Sequence, residues 1–280
     1  PGGYPRSNQA TRPNFSAMRN MQHINKWCET VPHINRIPQM MQNAFSKLKN
    51  GRPGPVTIEV PVDIFTEEAN PILLENYRPQ KKSASIANST DLSKIVDILL
   101  NAKCPVIVAG QGILYGDACD ELLMLANLSK TPVMSTLNGK SCFPESHELS
   151  LGCASGERSD VINHFLDKAD VIIGLGTSFT RSDYITPLPI KEKMLVQLTN
   201  CDEDVAKDYP IDIGVIGDAK LSISNLIKEL EDRLGKRHKS FDHWWNSWGK
   251  DTTDKKAIVQ EIALHRAAFM KNWIPLLSSN

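Results

Sequence analysis

Apolar positions in the first third of the chain follow two rhythms. Over residues 34–48, Ile37, Met40, Met41, Ala44, Phe45 and Leu48 recur at steps of three and four, laying one apolar face along a helix. Asn50-Gly51 stops it, because glycine takes left-handed backbone easily past a last turn. The Pro53-Gly54-Pro55 turn then feeds a short buried strand over 56–60, closed by Pro61. One helix and one strand cannot bury each other, since a domain needs two packed layers. Residues 1–66 are therefore expected to be part of an α/β domain whose other strands lie elsewhere, with 1–15 as loop.

Residues 67–88, with Pro71, Pro79 and Lys81-Lys82, read as an extended linker. A helix over 91–102 follows, with Ile95, Val96, Ile98, Leu99 and Leu100 on or near one face and Ser89 or Thr90 as its cap. Strands are expected at 106–109, 133–136, 171–175, 195–199 and 213–216, and helices at 117–128, 159–166 and 219–234. Short β-branched runs separated by helices imply a parallel sheet covered on both faces. Right-handed crossovers then bring every strand's C-terminal loop to one edge. The fold class is α/β: a doubly wound, mainly parallel, Rossmann-like domain over 89–236, preceded by the partial α/β domain. Residues 237–280 hold Trp244, Trp245, Trp248 and Trp273, together with a helical pattern over 257–270, and read as a connector.

Composition narrows the function classes. The 280 residues are 41% apolar and 23% charged, with zero formal net charge, so nothing points to nucleic acid or a membrane surface. No apolar run approaches the roughly 20 residues that a membrane span needs, and the first residues lack a signal-peptide core. They also lack an initiating Met, which suggests a piece of a longer chain. Cys28, Cys104, Cys119, Cys142, Cys153 and Cys201 form no C-x-x-C pair, so reduced cytoplasmic thiols are expected. Seven scattered histidines form no recognisable catalytic or metal-ligating set.

Residues 51–63, Gly110-Gln111-Gly112, Thr136-Leu137-Asn138-Gly139-Lys140, Gly174-Leu175-Gly176-Thr177 and Gly217-Asp218-Ala219 occur in this order with helices between them. In order and spacing the chain resembles the thiamine-diphosphate-dependent enzymes of the acetolactate synthase type. That family has three α/β domains, which bind the pyrimidine, lie centrally, and bind the diphosphate. By resemblance, 1–66 is the end of the pyrimidine-binding domain, 89–236 is the central domain and 237–280 leads toward the third. The resemblance further implies thiamine diphosphate and Mg²⁺ in the full-length protein, a small 2-keto acid substrate, and a homodimer or homotetramer. The family's Gly-Asp-Gly metal motif occurs nowhere in this sequence. Its catalytic glutamate is expected upstream of Pro1, so the chain alone should carry no catalytic residue and no metal ligand.

The candidate binding residues sit in the strand-end loops. Glycine at Gly110 and Gly112 lets the backbone turn tightly or approach a phosphate, with Gln111 between them. The full dinucleotide fingerprint is missing, since Gly116 comes late and Asp117 stands at the expected helix start. A ligand loop and a ligand-free turn are equal readings here. Thr136, Leu137, Gly174, Gly176, Thr177 and Arg181 should converge with them at the sheet edge, where switch points favour ligands. In FAD-carrying family members these loops hold the ADP part. Gly217 and Asp218 end the last strand, and Asp218 could simply cap the next helix. One departure argues against FAD: Thr199 and Cys201 stand where the family places ribose-binding acids, which removes charge assistance worth about a factor of two in bond strength. The central domain is thus expected to be structural. The competing reading is a non-catalytic ADP- or FAD-binding module.

Overall fold

The computed structural model describes residues 17–75, 77–79, 81–154, 156 and 158–235. The expected loop at 1–15 and the tryptophan-rich connector at 237–280 lie outside these residues. The chain divides into two compact units between Ala84 and Ser85.

The first unit opens with α1 (Ala17–Met21) and β1 (Trp27–Thr30), then α2 (Ile37–Lys49), β2 (Val56–Glu59), α3 (Val62–Phe65) and α4 (Ile72–Glu75). The expected lone strand is corrected here: β1 pairs parallel with β2, Trp27 opposite Val56 and Thr30 opposite Glu59. Cross-strand bonds from Asn25 Nδ2 to Thr57 Oγ1 (2.7 Å) and from Thr30 Oγ1 to Glu59 Oε2 (2.7 Å) support the pairing. Its small core is Val31, Met40 and Ile64, flanked by Trp27, Ile34, Ile37, Ile58 and Val60. The stretch expected as an extended linker carries one helical turn, α4.

The second unit runs α5 (Ser89–Asn101), β3 (Pro105–Ala109), α6 (Gln111–Tyr115), α7 (Cys119–Ser129), β4 (Val133–Thr136), β5 (Ser150–Ala154), α8 (Asp160–Lys168), β6 (Val171–Leu175), β7 (Met194–Thr199), β8 (Ile213–Ile216) and α9 (Ala219–Gly235). The cap of α5 is Asn88, whose side chain accepts from Thr90 N at 2.9 Å, rather than Ser89 or Thr90. The six strands form one parallel sheet in the order β5-β4-β3-β6-β7-β8. The chain therefore winds outward from β3 to β5, returns beside β3 at β6, and winds the other way to β8. That reversal puts a switch point between the ends of β3 and β6.

Alternation along the strands fills both faces. Ile107, Ala109, Ile173, Leu175, Val196 and Leu198 pack under α5, α7 and α9 through Leu92, Leu122 and Leu226. Val106, Val108, Ile172 and Leu195 face α8 and the 177–211 loops through Ile162, Leu166, Phe179 and Tyr209. At the N-terminal edge the Asp170 carboxylate accepts from Lys103 N (2.6 Å) and Cys104 N (2.8 Å), tying β6 to β3. The helix expected from Asp117 begins instead at Cys119. Asp117 has φ +53, a left-handed value that breaks the chain between α6 and α7. Among the described residues no helix is long and apolar enough to cross a membrane.

Candidate functional site

The sheet's C-terminal edge carries the residues singled out by sequence, and the switch point is where they meet most closely. Gly110 leaves β3 and donates its N–H to Leu175 O at 2.9 Å; Gly112 donates to Gly176 O at 2.8 Å. Gly176 has φ +62, and a Cβ at Gly112 would lie 2.7 Å from Gly176 Cα. Contacts this short leave no room for a side chain, so glycine is required on both loops. Gln111 sits half-buried between the two glycines. The loop after β4 joins them: a Cβ on Gly139 would come 2.6 Å from Ala109 O. That loop is a single 3-10 turn, Leu137–Gly139, in which Thr136 Oγ1 accepts from Gly139 N at 3.2 Å. Leu137 is left 55% exposed.

The remaining candidates do not all join this cluster. Gly174 lies inside β6, and its missing Cβ makes space for the Phe179 ring. Thr177 is buried and its Oγ1 accepts from Phe179 N at 3.3 Å. Arg181 is drawn toward Tyr209: its guanidinium lies 4.4 Å from that ring's centroid, and its backbone N–H donates to Asp208 Oδ2 at 2.9 Å. Thr199 Oγ1 accepts from Cys201 N at 3.3 Å. Gly217 donates to Thr199 O at 2.8 Å, bringing the ends of β7 and β8 together. The Asp218 carboxylate accepts from Leu221 N at 3.1 Å, as a helix cap does.

Three features escaped the sequence reading. Gln197 is fully buried on β7; its Nε2 donates to Thr177 O (3.1 Å) and Asp204 O (2.8 Å), while its Oε1 accepts from Ala206 N (3.2 Å). One side chain thereby braces the loops after β6 and β7. A lone polar residue within the apolar run Leu195-Val196-Gln197-Leu198 was the available signal. Lys220 is paired with Asp117 at 2.9 Å and Glu121 at 3.7 Å. The hydrogen bond to Asp117 holds its ammonium above the usual range. Arg158 donates from Nε to Asn163 Oδ1 and from Nη2 to Pro187 O, and burial lowers its pKa. Among the described residues no group of three His, Cys, Asp or Glu side chains could hold a metal ion.

Comparison with known proteins follows the same sheet. Residues 92–226 match the model for the central domain of thiamine pyrophosphate enzymes. The chain is 32% identical, over 81% of its length, to a probable acetolactate synthase large subunit of Methanococcus aeolicus, of which it covers 37%. It is 29% identical over 75% of its length to glyoxylate carboligase of Escherichia coli O157:H7, covering 35% of that protein. The fold is similar to that of benzoylformate decarboxylase from Polynucleobacter necessarius, with TM-score 0.64 and 16% identity over 77% of this chain and 40% of that one. The chain thus spans less than two-fifths of the curated relatives it matches.

Proposed function

We propose, for a chain that belongs through residues 92–226 to the thiamine pyrophosphate enzymes, that it serves a longer protein which decarboxylates a small 2-keto acid and joins the product to a second carbonyl compound. The observation that carries this is similarity to acetolactate synthase across 81% of the chain, which reaches well beyond the central sheet. Thiamine diphosphate, when bound, supplies the electron sink for breaking a bond to a carbonyl carbon. Mg²⁺ takes oxygen ligands, and the Gly-Asp-Gly motif that supplies them in the resembling family does not occur in this sequence. Cofactor, metal and catalytic side chains are accordingly assigned to other parts of the longer protein, and this chain is inactive alone. Its share of the work is to hold a rigid doubly wound sheet between the cofactor-binding domains. As in the resembling family, the complete enzyme is a homodimer or homotetramer. Six unbridged cysteines suit a reducing cytoplasm.

The test is carbon dioxide release from pyruvate, glyoxylate and benzoylformate, with thiamine diphosphate and Mg²⁺ added. The longer protein is expected to turn over at least one of them, and the 280-residue chain none. Turnover by the chain alone would overturn its assigned inactivity. Failure of the longer protein on all three would overturn the 2-keto acid reading.

A further inference from the structure

We infer that the glycines at the β3–β6 switch point form a closed backbone joint and not a cradle for a dinucleotide, so that the central domain works without flavin or ADP. A pyrophosphate on a doubly wound sheet is held by backbone N–H groups aimed outward from a glycine loop and by the start of the helix behind it. Here those donors are turned inward. Gly110 donates to Leu175 O, Gly112 to Gly176 O and Gly176 to Leu198 O, all at 2.8–2.9 Å. At the far strands Gly217 donates to Thr199 O and Asp218 to Ser85 O, each at 2.8 Å. Each of these N–H groups is already bonded to a carbonyl of a neighbouring strand or loop.

The helix starts do not compensate. The helix behind the glycine loop, α6, has five residues, too short to build an appreciable dipole. The long helix α9 begins under the carboxylate of Asp218, bonded to Leu221 N, and a second anion there would meet a negative charge. Two nearby cations are engaged, Lys220 with Asp117 and Glu121 and Arg181 over the Tyr209 ring, while Lys140 is exposed on the loop after β4. Where a ribose would seek an acid, the Thr199 hydroxyl accepts from Cys201 N. The bonded glycine amides, the Asp218 carboxylate at the start of α9 and the neutral Thr199 together weigh against pyrophosphate and ribose recognition at one edge. The glycines have a sufficient alternative reason, because the loops cross too closely for any Cβ.

This inference is independent of the catalytic proposal, since it is read by direct binding and not by turnover. Titration calorimetry of the 280-residue chain with FAD and with ADP should give no saturable heat. Hydrogen exchange should show the amides of Gly110, Gly112 and Gly176 protected to the same degree with and without either nucleotide. Leu137→Glu places a negative charge on an exposed side chain at this edge and should fold normally. Saturable FAD or ADP binding that Leu137→Glu weakens tenfold or more would overturn the joint. So would rapid exchange of the three glycine amides in the free chain. Binding that Leu137→Glu leaves unchanged would place the nucleotide away from this edge and would still overturn the inference that the domain works without flavin or ADP.

Discussion

The two units use the same strand-and-helix grammar and reach very different degrees of closure. In the second, six parallel strands bury both faces, with Ile107 and Val196 on one side and Val106 and Ile172 on the other, all essentially inaccessible. In the first, two strands pair and none of their residues is buried. Among the described residues its buried hydrophobic side chains are Val31, Met40, Ala44 and Ile64, while Phe65 stays 78% and Leu74 69% exposed. The difference teaches that a parallel sheet becomes self-supporting only when helices cover both faces. Below that threshold, correct local pairing leaves apolar surface in water.

Core truncation should separate the units most sharply. Leu226→Ala removes a side chain with 0% exposure, and a change of this kind costs about 2–5 kcal/mol. The urea midpoint of the second unit should fall accordingly. Met40→Ala strikes the core of the first unit, and it should speed hydrogen exchange in β1 and β2 while leaving β3 and β6 unchanged. If Met40→Ala lowers the midpoint of the second unit as far as Leu226→Ala does, the units fold as one and the comparison breaks.

That contrast also explains what could be read from the chain itself. Strands β3 and β6 are continuous apolar runs, Pro-Val-Ile-Val-Ala and Val-Ile-Ile-Gly-Leu, because each is covered on both faces; such runs announce themselves. Strand β1 reads Trp-Cys-Glu-Thr, with neither a run nor a clear alternation, and its pairing with β2 is decided by partners 29 residues away. Strand β5 is an edge strand that takes up a register shift, with Gly152 at φ +89; glycine there looks like a turn. The helix boundary at Asp117 was displaced for a similar reason, since an aspartate in left-handed backbone resembles an N-cap. The strand-end glycines were legible as turns at the sheet edge. That they serve one another could not be seen, because contact between Gly112 and Gly176 depends on β3 and β6 becoming neighbours.

Gln197 sharpens the comparison next. Gln197→Leu keeps the approximate volume but strips donors from the Thr177 and Asp204 carbonyls and an acceptor from Ala206 N. Unsatisfied buried groups cost about 1–3 kcal/mol each, partly relieved where loops can reach water, so a loss of about 2–4 kcal/mol is expected in urea. Exchange should accelerate at 177–181 and 202–206 and remain unchanged in the first unit. A neutral result would mean that those loops are held by backbone bonding alone.

The smallest effect comes from a thiol. Burial, with a lesser contribution from Cys119, pushes Cys142 up to about 12 from an ordinary 9.0. Its native state therefore keeps a proton that the unfolded chain releases above pH 9. The stability this provides is whole below that value and declines as pH rises toward 12, with the first unit of pH removing about 1 kcal/mol. Cys142→Ala should flatten that part of the pH profile, apart from a constant packing loss seen at neutral pH. Cys28, half-buried in the more open first unit, supplies the counterpart. Iodoacetamide at neutral pH should modify Cys28 while Cys142 stays intact until the second unit unfolds, because alkylation requires both exposure and a thiolate. Should Cys142 react as fast as Cys28 in the native protein, the two-faced core opens more readily than its burial implies, and the contrast between the units narrows to one of size.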